Sequence, residues 1–159
     1  MNTGKRSKKT LGIVNLPSFL HALKLLAKSK AKYVLVGGVA ANLHGYSEGT
    51  KDIDILIPKD FDNTKKILEA LEELALGLSK EITPEEVLAK PITIIGDIPR
   101  VDLLLQAGKL NFAEAFKNRL QRKIGTIKIN YVSKHDLIKS KQTGRPKDEL
   151  LIKELKSRK

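Results

Sequence analysis

The sequence contains no cysteine among its 159 residues. This absence excludes a disulfide scaffold and a metal site built from thiolates, and it is in keeping with a reducing compartment. Tryptophan is also absent, and three tyrosines and four phenylalanines leave few rings on which nucleic-acid bases could stack. No apolar run approaches the roughly 18 residues of a membrane span, and the basic start of the chain lacks an export signal. We therefore expect a cytoplasmic protein with no membrane segment.

Positive charge is concentrated at the two ends of the chain. The formal net charge is +12, of which residues 1–10 contribute +4 and residues 139–159 contribute +5. A basic balance favours partners that carry phosphate groups, such as nucleotides or RNA. We expect residues 1–10 to form a basic, flexible tail and residues 11–159 to form a single domain.

Apolar periodicity and turn residues predict alternating helices and strands. Helices are predicted at residues 17–30, 39–43, 62–78, 83–90, 111–122 and 133–142, with a last helix from 146. Strands are predicted at residues 33–36, 52–57, 92–95, 100–105 and 127–131, the third and fourth forming a hairpin. Asp62 or Asn63 is expected to cap the helix at 62–78. This order predicts an α/β (α+β) fold, in which helices flank a mixed β-sheet and a short helical segment follows from about residue 133.

Two aspartates, Asp52 and Asp54, interrupt an otherwise apolar strand. Side chains alternate between the faces of a strand, so both carboxylates lie on one face while Ile53 and Ile55 point to the other. Two carboxylates about 5 Å apart repel each other by roughly 3 kcal/mol at an effective dielectric constant near 20. The pair therefore needs a cation, hydrogen bonds or open water, and a hard divalent metal would satisfy it best.

A third carboxylate, Asp102, interrupts the apolar strand at 100–105 in the same way. If the two strands are neighbours in the sheet, the three carboxylates converge. Converging aspartates without cysteine or paired histidine select Mg²⁺ or Mn²⁺, and two such ions could hold a triphosphate. Gly37 and Gly38 follow an apolar strand, and the absence of a Cβ would let their backbone approach a phosphate. Each of these features alone is more often structural, but their combination favours a metal and nucleotide site.

In order along the chain, these motifs resemble the nucleotidyltransferase superfamily of the DNA polymerase β type, in particular its minimal bacterial and archaeal members. The matching segments are Val36-Gly37-Gly38, Thr50-Lys51-Asp52-Ile53-Asp54-Ile55 and Val101-Asp102-Leu103. The resemblance covers the chain from about residue 33 to residue 155. It implies that both glycines lie against the phosphates of an NTP, that Thr50 and Lys51 contribute to the nucleotide site, and that the three aspartates bind two Mg²⁺ ions.

The C-terminal part of the chain is similar to the helical segment that follows the core in many minimal members. By this resemblance Lys141 would reach the triphosphate, Arg145 would be a second candidate for that role, and Asp148 would fix both basic residues. The alternative is that Lys141 and Arg145 are exposed cations at helix ends. One departure from the family pattern is Glu48, which stands where related sequences often carry an arginine.

Two functions follow from this resemblance. The first is a nucleotidyltransferase that moves a nucleoside monophosphate from an NTP, such as ATP, to an acceptor hydroxyl or phosphate, with Asp102 as the general base and release of pyrophosphate. The alternative is a toxin-antitoxin component, or a catalytically weak module of the same fold, that binds a protein or RNA partner. In either case recognition would use a small surface, a homo-oligomer interface or a partner chain, and RNA and protein are both open as acceptors.

Overall fold

A computed structural model describes residues 17–46, 49–74, 81–97 and 99–157. The basic residues 1–10 and Glu48 lie outside these ranges, as do residues 75–78 of the predicted third helix. The helices are α1 Pro17–Ser29, α2 Gly37–Leu43, α3 Phe61–Ala70, α4 Pro84–Leu88, α5 Phe112–Lys117, α6 Lys134–Ser140 and α7 Pro146–Ser157. The strands are β1 Val34–Val36, β2 Asp52–Leu56, β3 Ile92–Ile95, β4 Arg100–Leu104, β5 Gln106–Ala107, β6 Leu110–Asn111, β7 Leu120–Ile124 and β8 Ile127–Tyr131. Among the described residues, no helix is long and apolar enough to cross a membrane.

Six of the strands form a mixed sheet in the order β3-β4-β2-β1-β8-β7, and β5 pairs with β6 separately. Strand β2 runs parallel to β4 and antiparallel to β1, and β1 runs parallel to β8. The predicted hairpin of β3 and β4 is present as an antiparallel pair. The mixed sheet, its flanking helices and the C-terminal helices confirm the predicted fold class.

Hydrophobic cores lie on both faces of this sheet. On one face, Ile53 and Ile55 of β2 pack in a cluster with residues of α1, α3 and α4. On the other, Leu56 belongs to a second cluster that includes residues of α6 and α7. Because side chains alternate along β2, Asp52 and Asp54 point to the side of the second cluster. The carboxylates therefore face the C-terminal helices.

The start of α3 differs from the prediction in its capping residue. The carboxylate of Asp60, and not that of Asp62 or Asn63, accepts a hydrogen bond from the backbone N–H of Asn63 at 2.8 Å. The Asn63 side chain instead accepts from the backbone N–H of Lys32 at 2.7 Å and donates to the Lys32 carbonyl at 2.9 Å. The Asn63 side chain is therefore engaged elsewhere, and Asp60, directly before Phe61, is the capping residue.

The predicted helix at 111–122 is wrong in its second half. Helix α5 ends at Lys117, and Leu120–Ile124 forms strand β7, which sequence analysis did not predict. Strand β7 pairs along its whole length with β8 through a turn that contains Gly125, whose φ is +61°. Pairing with a neighbouring strand outweighed the weak helical periodicity of this segment.

Candidate active site

The register between β2 and β4 brings the three aspartates together. Strand β4 lies directly beside β2, and Asp54 is opposite Asp102 across the parallel pair. The expectation that these strands are neighbours is therefore confirmed. Asp52 lies two residues before Asp54 on the same face, opposite Arg100. A three-carboxylate cluster, Asp52, Asp54 and Asp102, thus lies at the start of two adjacent strands.

The glycine pair lies immediately beside this cluster. Val36, the last residue of β1, is opposite Asp54, and α2 begins at Gly37 with a φ of +67°. A Cβ at Gly37 would overlap the Asp54 carboxylate, and one at Gly38 would lie 2.7 Å from the Cβ of Thr50. Both positions therefore need glycine, Gly37 to make room for Asp54 and Gly38 to make room for Thr50.

Burial and mutual repulsion disturb the ionisation of Asp54. The pKa of Asp54 is raised to about 6, chiefly by desolvation, and the charge of Asp102 and a hydrogen bond to it act in the same direction. The charge of Asp52 contributes to this rise, and the ammonium group of Lys141 offsets part of it. The cluster is short of positive charge at Asp54, and it binds a proton more tightly there than a free aspartate would.

An open cavity of about 230 Å³ lies between two of the carboxylates, Asp54 and Asp102, and the C-terminal helices, whereas Asp52 and Gly38 are outside its lining. Gly37, Asp54 and Asp102 line it on the side of the sheet, and Lys141 and Arg145 line it on the side of the helices. Apolar groups from β3, β4 and β5 complete part of its wall: Ile92, Leu104 and Ala107. One cavity thus has an acidic wall, a basic wall and an apolar section.

A buried aspartate in α7 holds the basic wall together. The Asp148 carboxylate accepts a hydrogen bond from the Thr143 hydroxyl at 2.6 Å and one from the Arg145 Nε at 2.8 Å, and it lies 3.9 Å from the Lys141 Nζ. Burial by itself would raise the pKa of Asp148, but the Thr143 hydrogen bond and the two positive charges outweigh it and lower this pKa. The Lys141 side chain is 18% exposed and that of Arg145 is 73% exposed, so Lys141 is the more enclosed cation.

Thr50 and Lys51, which the resemblance assigns to the nucleotide site, lie outside the set of residues that line the cavity. The Thr50 hydroxyl donates to the Asp52 carbonyl at 3.0 Å and packs against Gly38, so it shapes the start of β2. Lys51 is exposed. A contact of either residue with a nucleotide stays a prediction.

Arg100, which sequence analysis did not single out, bridges two of the three carboxylates. Its Nη2 lies 2.9 Å from Asp52 Oδ2 and donates to Asp102 Oδ2 at 3.0 Å, and its Nε donates to Asp102 Oδ1 at 2.9 Å. These contacts, led by the hydrogen bond to Asp102, raise the pKa of Arg100 above its ordinary value. The signal was present in the sequence, because Arg100 precedes Asp102 by two residues and so shares its face of the strand.

The chemistry of the cluster fits a hard divalent cation. Its ligands would be carboxylate oxygens, which Mg²⁺ and Mn²⁺ prefer, and the raised pKa of Asp54 indicates a need for positive charge. Within the described part of the chain, however, no group of three carboxylate or imidazole side chains is arranged to hold an ion directly. In the structure the guanidinium of Arg100 instead contacts both oxygens of Asp102 and one of Asp52.

A mixed sheet with a glycine turn and three aspartates from two adjacent strands defines a domain of the nucleotidyltransferase type. Residues 15–157 match the family described as nucleotidyltransferase of unknown function, DUF6036, and the chain belongs to that family. A comparison with curated proteins gives no match. The predicted kinship with nucleotidyltransferases is therefore confirmed over almost the whole chain.

Proposed function

We propose that this protein is a metal-dependent nucleotidyltransferase that moves a nucleoside monophosphate from an NTP to a hydroxyl or phosphate of an acceptor. The observation that carries the proposal is the register of β1, β2 and β4, in which Val36, Asp54 and Asp102 are successive partners. That register aligns Gly37, Asp54 and Asp102 on one side of a cavity whose opposite wall is basic. A triphosphate and its counter-ions need this pairing of an acidic wall with a basic wall.

Asp52, Asp54 and Asp102 would hold Mg²⁺ or Mn²⁺. A divalent cation bound there would neutralise part of the charge on the phosphates and polarise the phosphoryl group that reacts. The shortage of positive charge at Asp54 supports this assignment, because a bound cation would favour the ionised carboxylate and lower its pKa.

The chain's own groups would then orient the reactants and move one proton. The backbone of Gly37 and Gly38 would let the triphosphate lie close to the sheet. Asp102 would accept the proton of the acceptor hydroxyl while the hydroxyl oxygen of the acceptor forms a bond to the α-phosphorus. The bond between the α-phosphorus and the bridging oxygen would break, and pyrophosphate would leave.

On the opposite wall, Lys141 would bind the departing phosphates. Asp148 supports this role because it fixes the loop between α6 and α7 through Thr143 and Arg145. Arg145 is mostly exposed and would assist from the rim of the cavity. Both cations would be preorganised, so that binding a triphosphate would cost little side-chain entropy.

Thermal unfolding in the presence of each NTP with Mg²⁺ or Mn²⁺ tests binding first. A ligand at about 100 times its Kd stabilises the folded state by about 2.7 kcal/mol, which corresponds to about 5–10 °C in Tm for a domain of this size. Asp52→Asn should abolish most of the shift. Asp97→Asn removes the same charge from an exposed turn and should retain it.

Transfer is then tested with NTPs labelled at the α- or the γ-phosphate, in the presence of a lysate from the same source. Label from the α-position should appear in the modified acceptor, whereas label from the γ-position should leave in pyrophosphate. Label from the γ-position in the acceptor would indicate phosphoryl transfer and refute the proposed reaction. Absence of both the Tm shift and the product, with an RNA or protein that purifies with the chain, would instead favour the alternative of a binding module or toxin-antitoxin component.

A further inference from the structure

Arg100 contacts two of the three carboxylates in the cluster, Asp52 and Asp102. Its guanidinium contacts three carboxylate oxygens at 2.9 to 3.0 Å, both oxygens of Asp102 among them. A guanidinium matches two carboxylates well, because its donors form a planar fork of fixed geometry. The single positive charge of Arg100 therefore offsets one of the two negative charges on Asp52 and Asp102.

We infer that Arg100 is a resident counter-ion that competes with divalent metal for Asp52 and Asp102. This inference rests on the proposed function, because it concerns the binding of metal to the same cluster. Both oxygens of Asp102 and one of Asp52 contact Arg100, so a metal that approached these oxygens would meet the guanidinium. A divalent ion and a guanidinium at the same oxygens would also repel each other strongly.

The position of Arg100 in the fold permits such an exchange. Its side chain is 42% exposed, so the guanidinium can turn into solvent without disturbing a core. Its backbone is fixed in β4, two residues from Asp102, so it would remain close after release. In the absence of nucleotide the cluster would thus be closed by Arg100 and would bind metal weakly.

Competition from Arg100 would affect the order in which metal and nucleotide bind. A metal that arrives with an NTP brings contacts to Gly37, Lys141 and the rest of the cavity, whereas a free metal must displace Arg100 unaided. The site would therefore favour the metal-nucleotide complex over the free ion. Removing the guanidinium should reduce this preference.

The test is a titration of nucleotide-free protein with Mn²⁺, in which free Mn²⁺ is followed by its electron paramagnetic resonance signal. Arg100→Gln should bind Mn²⁺ at least about tenfold more tightly than the natural chain, because a positive charge about 5 Å from a divalent ion is removed. Arg122→Gln is the matched control, since Arg122 lies on β7 and three strand spacings, about 14 Å, separate β7 from β2. This control should leave the affinity unchanged.

Arg100→Lys provides a second variant that retains the charge. An ammonium group cannot form the planar fork across both carboxylates, so its Mn²⁺ affinity should lie between those of the natural chain and Arg100→Gln. If Arg100→Gln does not fold, as judged by circular dichroism, this variant decides: an affinity equal to or below that of the natural chain overturns the inference. If Arg100→Gln folds and its Mn²⁺ affinity is equal to or below that of the natural chain, the inference is also overturned. Arg100 would then be a residue that positions the carboxylates.

A parallel titration with α,β-methylene ATP separates this inference from the proposed function. Binding of Mn²⁺ and the analogue to the natural chain, with no gain in Mn²⁺ affinity for Arg100→Gln, would refute the competition alone. If neither protein binds Mn²⁺ with or without the analogue, the nucleotidyltransferase assignment of the site fails, and the inference fails with it.

Discussion

Replacing Asp54 by asparagine should make the metal-free protein more stable near neutral pH. The folded state raises the pKa of this carboxyl from 3.8 to about 6, so at neutral pH it is ionised in an environment that favours its neutral form. A difference of about two between the pKa values corresponds to about 3 kcal/mol, which is an upper estimate because the carboxyl is partly open to solvent. An amide carries no charge and can still donate a hydrogen bond to Asp102.

The stability difference between Asp54→Asn and the natural chain should depend on pH, because it follows the ionisation of Asp54. At about pH 4 and below, Asp54 is largely protonated when folded and increasingly so when unfolded, so its burial costs the natural chain little. As the pH rises towards 6, the unfolded state loses the proton first, and the contribution of Asp54 to stability falls. The advantage of Asp54→Asn over the natural chain should therefore be small at about pH 4 and reach about 1–3 kcal/mol at about pH 7.5.

Urea unfolding in the presence of a chelator, at a series of pH values, measures this difference directly. Asp97→Asn removes an equal charge from an exposed turn, and its difference from the natural chain should not change over the same range. The reasoning would be refuted by an Asp54→Asn variant that is less stable at neutral pH, or by a difference that does not grow with pH. An increase in stability together with loss of transferase activity would be the trade-off expected of an active site.

Substitutions at Gly37 and at Asp148 test the contacts on the two walls of the cavity. Gly37→Ala and Gly125→Ala both place a side chain at positive φ, which costs about 1–2 kcal/mol, but only the Cβ at Gly37 meets the Asp54 carboxylate. Gly37→Ala should therefore lower the free energy of unfolding by about 1–3 kcal/mol more than Gly125→Ala, and equal losses in urea unfolding would contradict the contact. Asp148→Asn should cost about 2 kcal/mol at neutral pH, because the charge-assisted hydrogen bonds are lost. Since the folded state lowers the pKa of Asp148 below 3.8, its stabilisation is complete above that pH and is lost as the pH falls through the folded value. The cost of Asp148→Asn should shrink in strong acid, and a cost that is the same at every pH would argue against the ion pairs.

The carboxylates could be predicted from the sequence because their signal is local. A charged residue within an apolar strand identifies its own face of the sheet, so Asp52, Asp54 and Asp102 follow from alternation alone. That the strands carrying them are neighbours required one further assumption, which the parallel pairing of β2 and β4 bears out. Their role towards metal remains a prediction.

Features that depend on distant contacts were missed. Strand β7 contains few β-branched residues and becomes a strand through pairing with β8. Asp60 caps α3, and the side chain of the predicted candidate Asn63 binds the backbone of Lys32 instead. Arg100 was overlooked for a different reason: strand alternation places it on the face of Asp102, but its contact with Asp52 depends on the register between two strands.

The two walls of the cavity have a consequence for how the protein is made. The acidic wall is complete once residue 102 has been synthesised, whereas the basic wall is provided by residues 141–148. A growing chain that has emerged only as far as β8 would carry the carboxylate cluster and Arg100, which contacts it. Such a chain would lack the basic wall on the other side of the cavity. Competence to hold a triphosphate would then arise late in biosynthesis, when α7 docks and its Leu151 and Leu155 complete the second hydrophobic cluster.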